Sequence, residues 1–116
     1  VVSAARDQIA QWIARPYLAR TPVPGHRAKD VRPKSTLNWG VDHPADVRAF
    51  EVYLGVDREA VRKASSASAE HLGRSTKPEI ASGSLHGQTT YFWRVDEVTG
   101  RGVHPGYVWS FTTGAE

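Results

Sequence analysis

Apolar side chains at every second position, in short runs broken by glycine and proline, confine a chain to half-buried β-strands. "TTYFWRVDEVTG", residues 89–100, puts Tyr91, Trp93 and Val95 on one face of a pleat and Phe92, Arg94 and Asp96 on the other. "STLNWG" repeats the alternation with Leu37 and Trp39 against Thr36 and Asn38. "VRAFEVYLG" does so with Phe50, Val52 and Leu54 against Glu51 and Tyr53, and "YVWSFTT" aims Trp109 and Phe111 the same way. Runs of this kind at roughly ten-residue spacing, joined by Gly/Pro turns, specify an antiparallel sandwich. No period of about 20 to 50 residues recurs, which excludes a solenoid.

The remaining segments fit around these strands. "YLARTPVPG" is broken by proline and reads as an edge strand closing in a turn at Pro24-Gly25. "PEIASGSL" gives a short strand around Ile80. "VDREAVRKA" switches to helical spacing, with Asp57 as N-cap and Ala60, Val61 and Ala64 as the inner face. Residues 65–77, "SSASAEHLGRSTK", read as a polar loop, and "TGRGVHPG" as a hairpin loop. At the N-terminus "SAARDQIAQWIAR" predicts a short amphipathic helix, capped by Ser3, with Asp7 in its early turns and Ile9, Trp12 and Ile13 as one stripe. Pro16 ends it. A helix of about twelve residues is marginal alone in water, so the stripe needs a surface to lie on.

A chain of 116 residues builds one compact domain with its own core. The expected division is an arm at residues 1–18 and a sandwich at 19–116. No run approaches the roughly 18 to 20 apolar residues of a membrane span. Without cysteine there is no disulfide framework, thiolate metal site or cysteine nucleophile. Val1 opens without a basic-then-apolar leader, and a missing initiator Met is expected of a processed or trimmed chain. Cysteine and methionine are absent, Asn38 is the single asparagine, and arginine outnumbers lysine 11 to 4. That profile suits a hot habitat or an arginine-biased genome equally. The net charge of +3 is uneven: residues 1–34 hold seven Lys/Arg against Asp7 and Asp30 (+5), and the rest eight against ten acids (−2). A basic arm of this kind suits acidic glycans or the acidic body of a neighbouring copy. Its cations are scattered instead of stacked on one helix face, so nucleic acid is not an expected partner.

"SLHGQTTYFWRVDEV" sets Leu85 six residues before Tyr91 across a Gly-containing turn, which resembles the tyrosine corner of fibronectin type III domains. "TLNW" resembles that family's strand B, whose tryptophan fills the core. The combination "VYLGVD … TTYFWRVDEVTGRG … VWSFTT" is similar to a fibronectin type III-like module of secreted, multidomain bacterial proteins. The resemblance covers about residues 19–114. It departs at "SLHG", with histidine where proline is common, and the first eighteen residues have no counterpart. It implies an all-β, seven-stranded antiparallel sandwich of immunoglobulin-like type, to which the residue pattern adds the arm and the short helix near 57–64. It also implies an extracellular or cell-surface, non-catalytic role as spacer, adhesive or assembly unit, with no active site and no cofactor. Tyr91 is expected to donate its hydroxyl to a backbone carbonyl near the corner. The expected core is Leu37, Trp39, Val52, Leu54, Tyr91, Trp93, Val95, Trp109 and Phe111.

Candidate sites divide into chemistry and contact. Asp96 and Glu97 look like a carboxylate pair, but adjacent strand residues point to opposite faces and cannot flank one substrate atom. Arg94 is placed to stack on a neighbouring aromatic. Histidines 26, 43, 71, 86 and 104 all fall in expected loops without the spacing of a zinc pair. Asp42, His43 and Asp46 lack the alternating oxygens of a calcium loop. The serines of "SSASA" lack a base and an oxyanion frame. No catalytic, metal or cofactor residue is expected.

Two contact surfaces remain. Tyr53, Phe92 and Tyr107 are outward by alternation and offer faces to a sugar, unless they cover one another across strands. Ile9, Trp12, Ile13, Tyr17 and Leu18 form an apolar patch unusual for a monomer. That patch folds back on its own sandwich or docks on another copy or a neighbouring domain, and a head-to-tail contact that does not close makes a filament. The expected function is a non-catalytic extracellular structural or adhesive module that self-assembles through its arm. The alternative is a spacer or polysaccharide-binding accessory domain of a secreted polysaccharide-degrading enzyme.

Overall fold

Strands form where the alternation predicts them, and they close into two facing sheets. The computed structural model describes residues 17–115. The strands are β1 (Arg20–Val23), β2 (Ala28–Val31), β3 (Lys34–Gly40), β4 (Val47–Gly55), β5 (His71–Ser75), β6 (Glu79–Ser84), β7 (Thr90–Thr99), β8 (Gly102–His104) and β9 (Val108–Thr113). A helix, α1 (Arg58–Lys63), follows β4. One sheet has the order β1-β3-β6 and the other β2-β9-β7-β4-β5, with β8 also on β7. β2 runs parallel to β9, and the remaining pairs are antiparallel. Six of these strands are the ones the residue pattern names, β1, β3 and β6 against β4, β7 and β9, and β5, in a stretch expected to be loop, makes the seventh of the sandwich. The short β2 and β8 are additions. The expected N-terminal helix, with Ile9, Trp12 and Ile13, lies outside the described residues.

Register brings the apolar faces into line. Val52 sits opposite Val95 and Leu54 opposite Trp93, while Trp93 also faces Trp109 and Tyr91 faces Phe111. All nine expected core residues pack together, with Leu54 at the margin, and Ala19 and Phe50 join them. Trp93 lies between Trp39, at 6.3 Å and 60°, and Trp109, at 4.8 Å and 62°. These edge-to-face arrangements are the ones that ring quadrupoles favour.

The tyrosine corner forms with its polarity reversed. The His86 backbone N–H donates to the Tyr91 hydroxyl oxygen at 2.9 Å. The His86 carbonyl accepts from the Thr113 hydroxyl at 2.6 Å, and the tyrosine oxygen serves as an acceptor.

Two expected loops contain strands. Residues 65–77 include β5, paired along β4 from Phe50↔Ser75 to Tyr53↔His71. "TGRGVHPG" includes β8, which extends β7 through Thr99↔Gly102 and Glu97↔His104. His71 and His104 thus lie in strands. Neither segment alternates in hydropathy: β5 sets Gly73 and Ser75 opposite the core residues Val52 and Phe50 and packs Leu72 on the core, and backbone pairing at a sheet edge holds each segment.

The helix is as expected. The Asp57 carboxylate accepts from the Glu59 and Ala60 backbone N–H groups at 2.9 and 3.2 Å, and Val61 and Ala64 are buried. Six residues cannot hold a helix in water, so tertiary contacts and the cap must do so. Asp57→Ala is expected to lower stability by about 1 kcal/mol in a urea melt.

Candidate functional site

The outer face of the β4–β7 sheet carries a polar network that alternation alone does not reveal. Arg94 stands opposite Tyr53 in register, and its guanidinium carbon lies 4.1 Å from the Tyr53 ring centre. The expected stacking of Arg94 on an aromatic is therefore present. All five of its N–H donors are used. Two reach Asp96 in a fork, Nε to Oδ1 at 2.8 Å and Nη2 to Oδ2 at 2.9 Å. Three reach carbonyls at the C-terminal end of α1: Val61 and Arg62 at 2.8 Å and Ala64 at 2.9 Å. A cation here supplies donors to the carbonyls of a helix end, where Val61 also accepts the Ala64 backbone N–H at 3.3 Å, and meets the negative pole of the helix dipole. Asp96 Oδ1 also accepts from the Gly106 N–H at 3.0 Å. A Cβ at residue 106 would collide with the Val95 carbonyl oxygen, so the loop can approach only as glycine.

This cover corrects the sugar-facing expectation at Tyr53. Its ring does lie on the outer face, but it is 3% exposed, packed with Val61 and Ala64 beside Phe92 and Val108. Phe92 is half-buried in the same cluster. Tyr107 is 54% exposed. With Tyr53 buried, the three aromatics do not offer one exposed platform. Next to them, Glu51 accepts from His71 Nε2 at 2.8 Å and Arg74 Nη1 at 2.6 Å.

The second feature is the pole of the sandwich where residues 17–20 run in. Leu18 and Ala19 are buried. The Tyr17 hydroxyl donates to Asp46 at 3.1 Å, and its ring lies 4.7 Å from His104 and 5.9 Å from His43. The Asp46 bond, with burial behind it, raises the Tyr17 hydroxyl pKa above 10.0. Both described residues of the apolar patch, Tyr17 and Leu18, are thus engaged within their own chain. An open cleft of about 490 Å³ lies beside Tyr17, Asp46, Arg48, Thr99 and Arg101. Arg20 pairs with Asp42 at the same pole. Among the described residues no three His, Asp or Glu side chains converge as metal ligands.

Asp96 and Glu97 point to opposite faces, as the pleat requires. Glu97 follows Tyr91, Trp93 and Val95 inward and is 0% exposed. Among the described residues, neither of its carboxylate oxygens has a hydrogen-bond partner. Burial, and then the nearby Asp42, push its pKa up to about 7, with Arg20 opposing. The sequence carried the signal, because residue 97 shares its parity with the core positions of its strand.

Strand order, sheet partners and the tyrosine corner together define a fibronectin type III-type β-sandwich. Solved structures agree. The sixth fibronectin type III domain of human fibronectin type III domain containing protein 3 superposes with a TM-score of 0.64 at 17% identity, covering 89% of this chain and 90% of that one. Another structure of a fibronectin type III domain of the same human protein gives 0.57 at 17% identity over 89% and 90%. An alpha-L-rhamnosidase from Dictyoglumus thermophilum gives 0.64 at 17% identity, covering 85% of this chain but 12% of the enzyme's. No protein-family model matches the chain, and no curated protein matches it by sequence.

Proposed function

We propose that this chain is a non-catalytic module of an extracellular protein, acting as a spacer or assembly unit that holds its neighbours apart. One observation carries the reading: the chain joins the sandwich at one pole and leaves it at the other. Tyr17 lies beside Thr99, at the end of β7. Gly114 lies beside its start, where its carbonyl accepts from the Gln88 N–H at 3.0 Å and Thr112 pairs with Thr90. The ten residues of β7 span about 30 Å between these poles. A module threaded in this way adds its full length to a string of modules. In small-angle scattering, a head-to-tail tandem of two copies should give an elongated particle with centres roughly 30 to 40 Å apart. A compact side-by-side pair would overturn the spacer reading.

The rhamnosidase neighbour favours a second reading, an accessory domain in a carbohydrate-active protein. Tyr107 is then the aromatic that meets the sugar. Saturable binding to a polysaccharide that disappears in Tyr107→Ala would support this reading over the first. Self-assembly rests on the apolar stripe of Ile9, Trp12 and Ile13. Light scattering of the whole chain against a version starting at Ala19 tests it, and two monomers at high concentration would end the idea.

A further inference from the structure

A carboxylate sealed from water with no donor to either oxygen cannot stay charged at little cost, and Glu97 is such a group. Its surroundings offer little relief. Phe50 of β4 stands opposite it on one side and His104 of β8 on the other. The His104 Nε2 is bonded to the Thr99 hydroxyl at 2.9 Å, and the Tyr17 ring lies against the His104 ring. Asp42, on the loop after β3, repels a charge on Glu97. Arg20, on β1, attracts one but is already paired with Asp42. Among the described residues, the charged and titratable groups around this carboxyl are Asp42, Arg20, Tyr17 and His104, and none bonds to it. All sit where Leu18 and Ala19 are tucked into the end of the core.

We propose that Glu97 is a pH-sensitive latch: uncharged, it lets residues 17–20 seat on the sandwich, and ionised, it loosens that pole while the opposite pole stays closed. The direction of the effect follows from proton linkage. The carboxyl is raised from 4.5 to about 7 in the fold, so the folded state holds a proton that the opened state has lost. Seating is then complete below about pH 4.5, weakens as pH rises toward about 7, and levels off above it. The latch concerns the junction with whatever precedes the module and is independent of the spacer reading.

The test is amide hydrogen exchange, corrected for intrinsic rates, together with carbon-13 NMR of the Glu97 carboxyl. Between about pH 5 and about pH 8, protection in β1 and in the Glu97–His104 ladder should fall on the order of a hundredfold. The Thr90–Thr112 ladder should hold constant, and Glu97→Gln should remove the dependence at β1. The carboxyl resonance of the unaltered protein should titrate near pH 7. A midpoint near 4.5, an equal loss of protection at both poles, or the same pH profile in Glu97→Gln would each overturn the latch. Should the glutamine variant fail to fold, the carboxyl midpoint and the two-pole comparison still decide.

Discussion

Arg94→Met should destabilise the fold by roughly 3 to 5 kcal/mol in urea melts at neutral pH, the range for breaking a buried ion pair from one side. Arg94 is 6% exposed and Asp96 3%, so solvent cannot take over the lost contacts. Methionine keeps most of the apolar stem, which limits the packing loss and isolates the polar one. Without the guanidinium, the Asp96 carboxylate keeps the Gly106 N–H and loses its fork. The Val61, Arg62 and Ala64 carbonyls lose a donor each. Removing both charges in Arg94→Met/Asp96→Leu should recover part of the loss, since a buried pair is often replaceable by apolar groups. It cannot recover all of it, because the donors to the Arg62 and Ala64 carbonyls and the acceptor of the Gly106 N–H are not replaced. A single variant within about 1 kcal/mol of the parent would mean that α1 is held by Val61 and Ala64 packing alone.

That network also marks the limit of what could be read from the sequence. Period-two alternation names the buried faces of β3, β4, β7 and β9 because burial acts on each strand whatever its partner. Tyr53 shows the other case. Its face was legible, but its cover was not, since the cover depends on where α1 folds back and on the register that sets Arg94 beside it. β5 and β8 were hidden for a related reason: edge pairing uses the backbone, which every sequence carries. Glu97 was legible in its direction, being two residues beyond Val95 on the inward face. Its lack of a partner is a property of the pole around it. Comparing the Tyr17 and Trp93 rings makes the same point. The first is placed by His104 and Asp46 far away in sequence, while the second is placed by its own strand.

Trp93→Ala and Trp93→Phe should differ sharply, and the difference reports on the indole N–H. The ring is fully buried between Trp39 and Trp109. Truncation to alanine removes the largest fully buried side chain together with two edge-to-face pairs. A loss of roughly 3 to 5 kcal/mol is expected from the cavity and the lost transfer energy, with the ring pairs placing it toward the upper end. That is enough to unfold a domain of ordinary stability. Phenylalanine keeps an aromatic face against Trp109 and loses the second ring and Nε1. Nε1 has no acceptor among the described residues, so its removal relieves a buried donor whose desolvation costs about 1 to 3 kcal/mol. The relief offsets much of the lost volume, and Trp93→Phe should cost only about 1 to 2 kcal/mol. Chemical denaturation of the three proteins measures both numbers. A phenylalanine variant as unstable as the alanine one would mean that the indole N–H is bonded after all, and that the aromatic stack contributes less than its geometry implies.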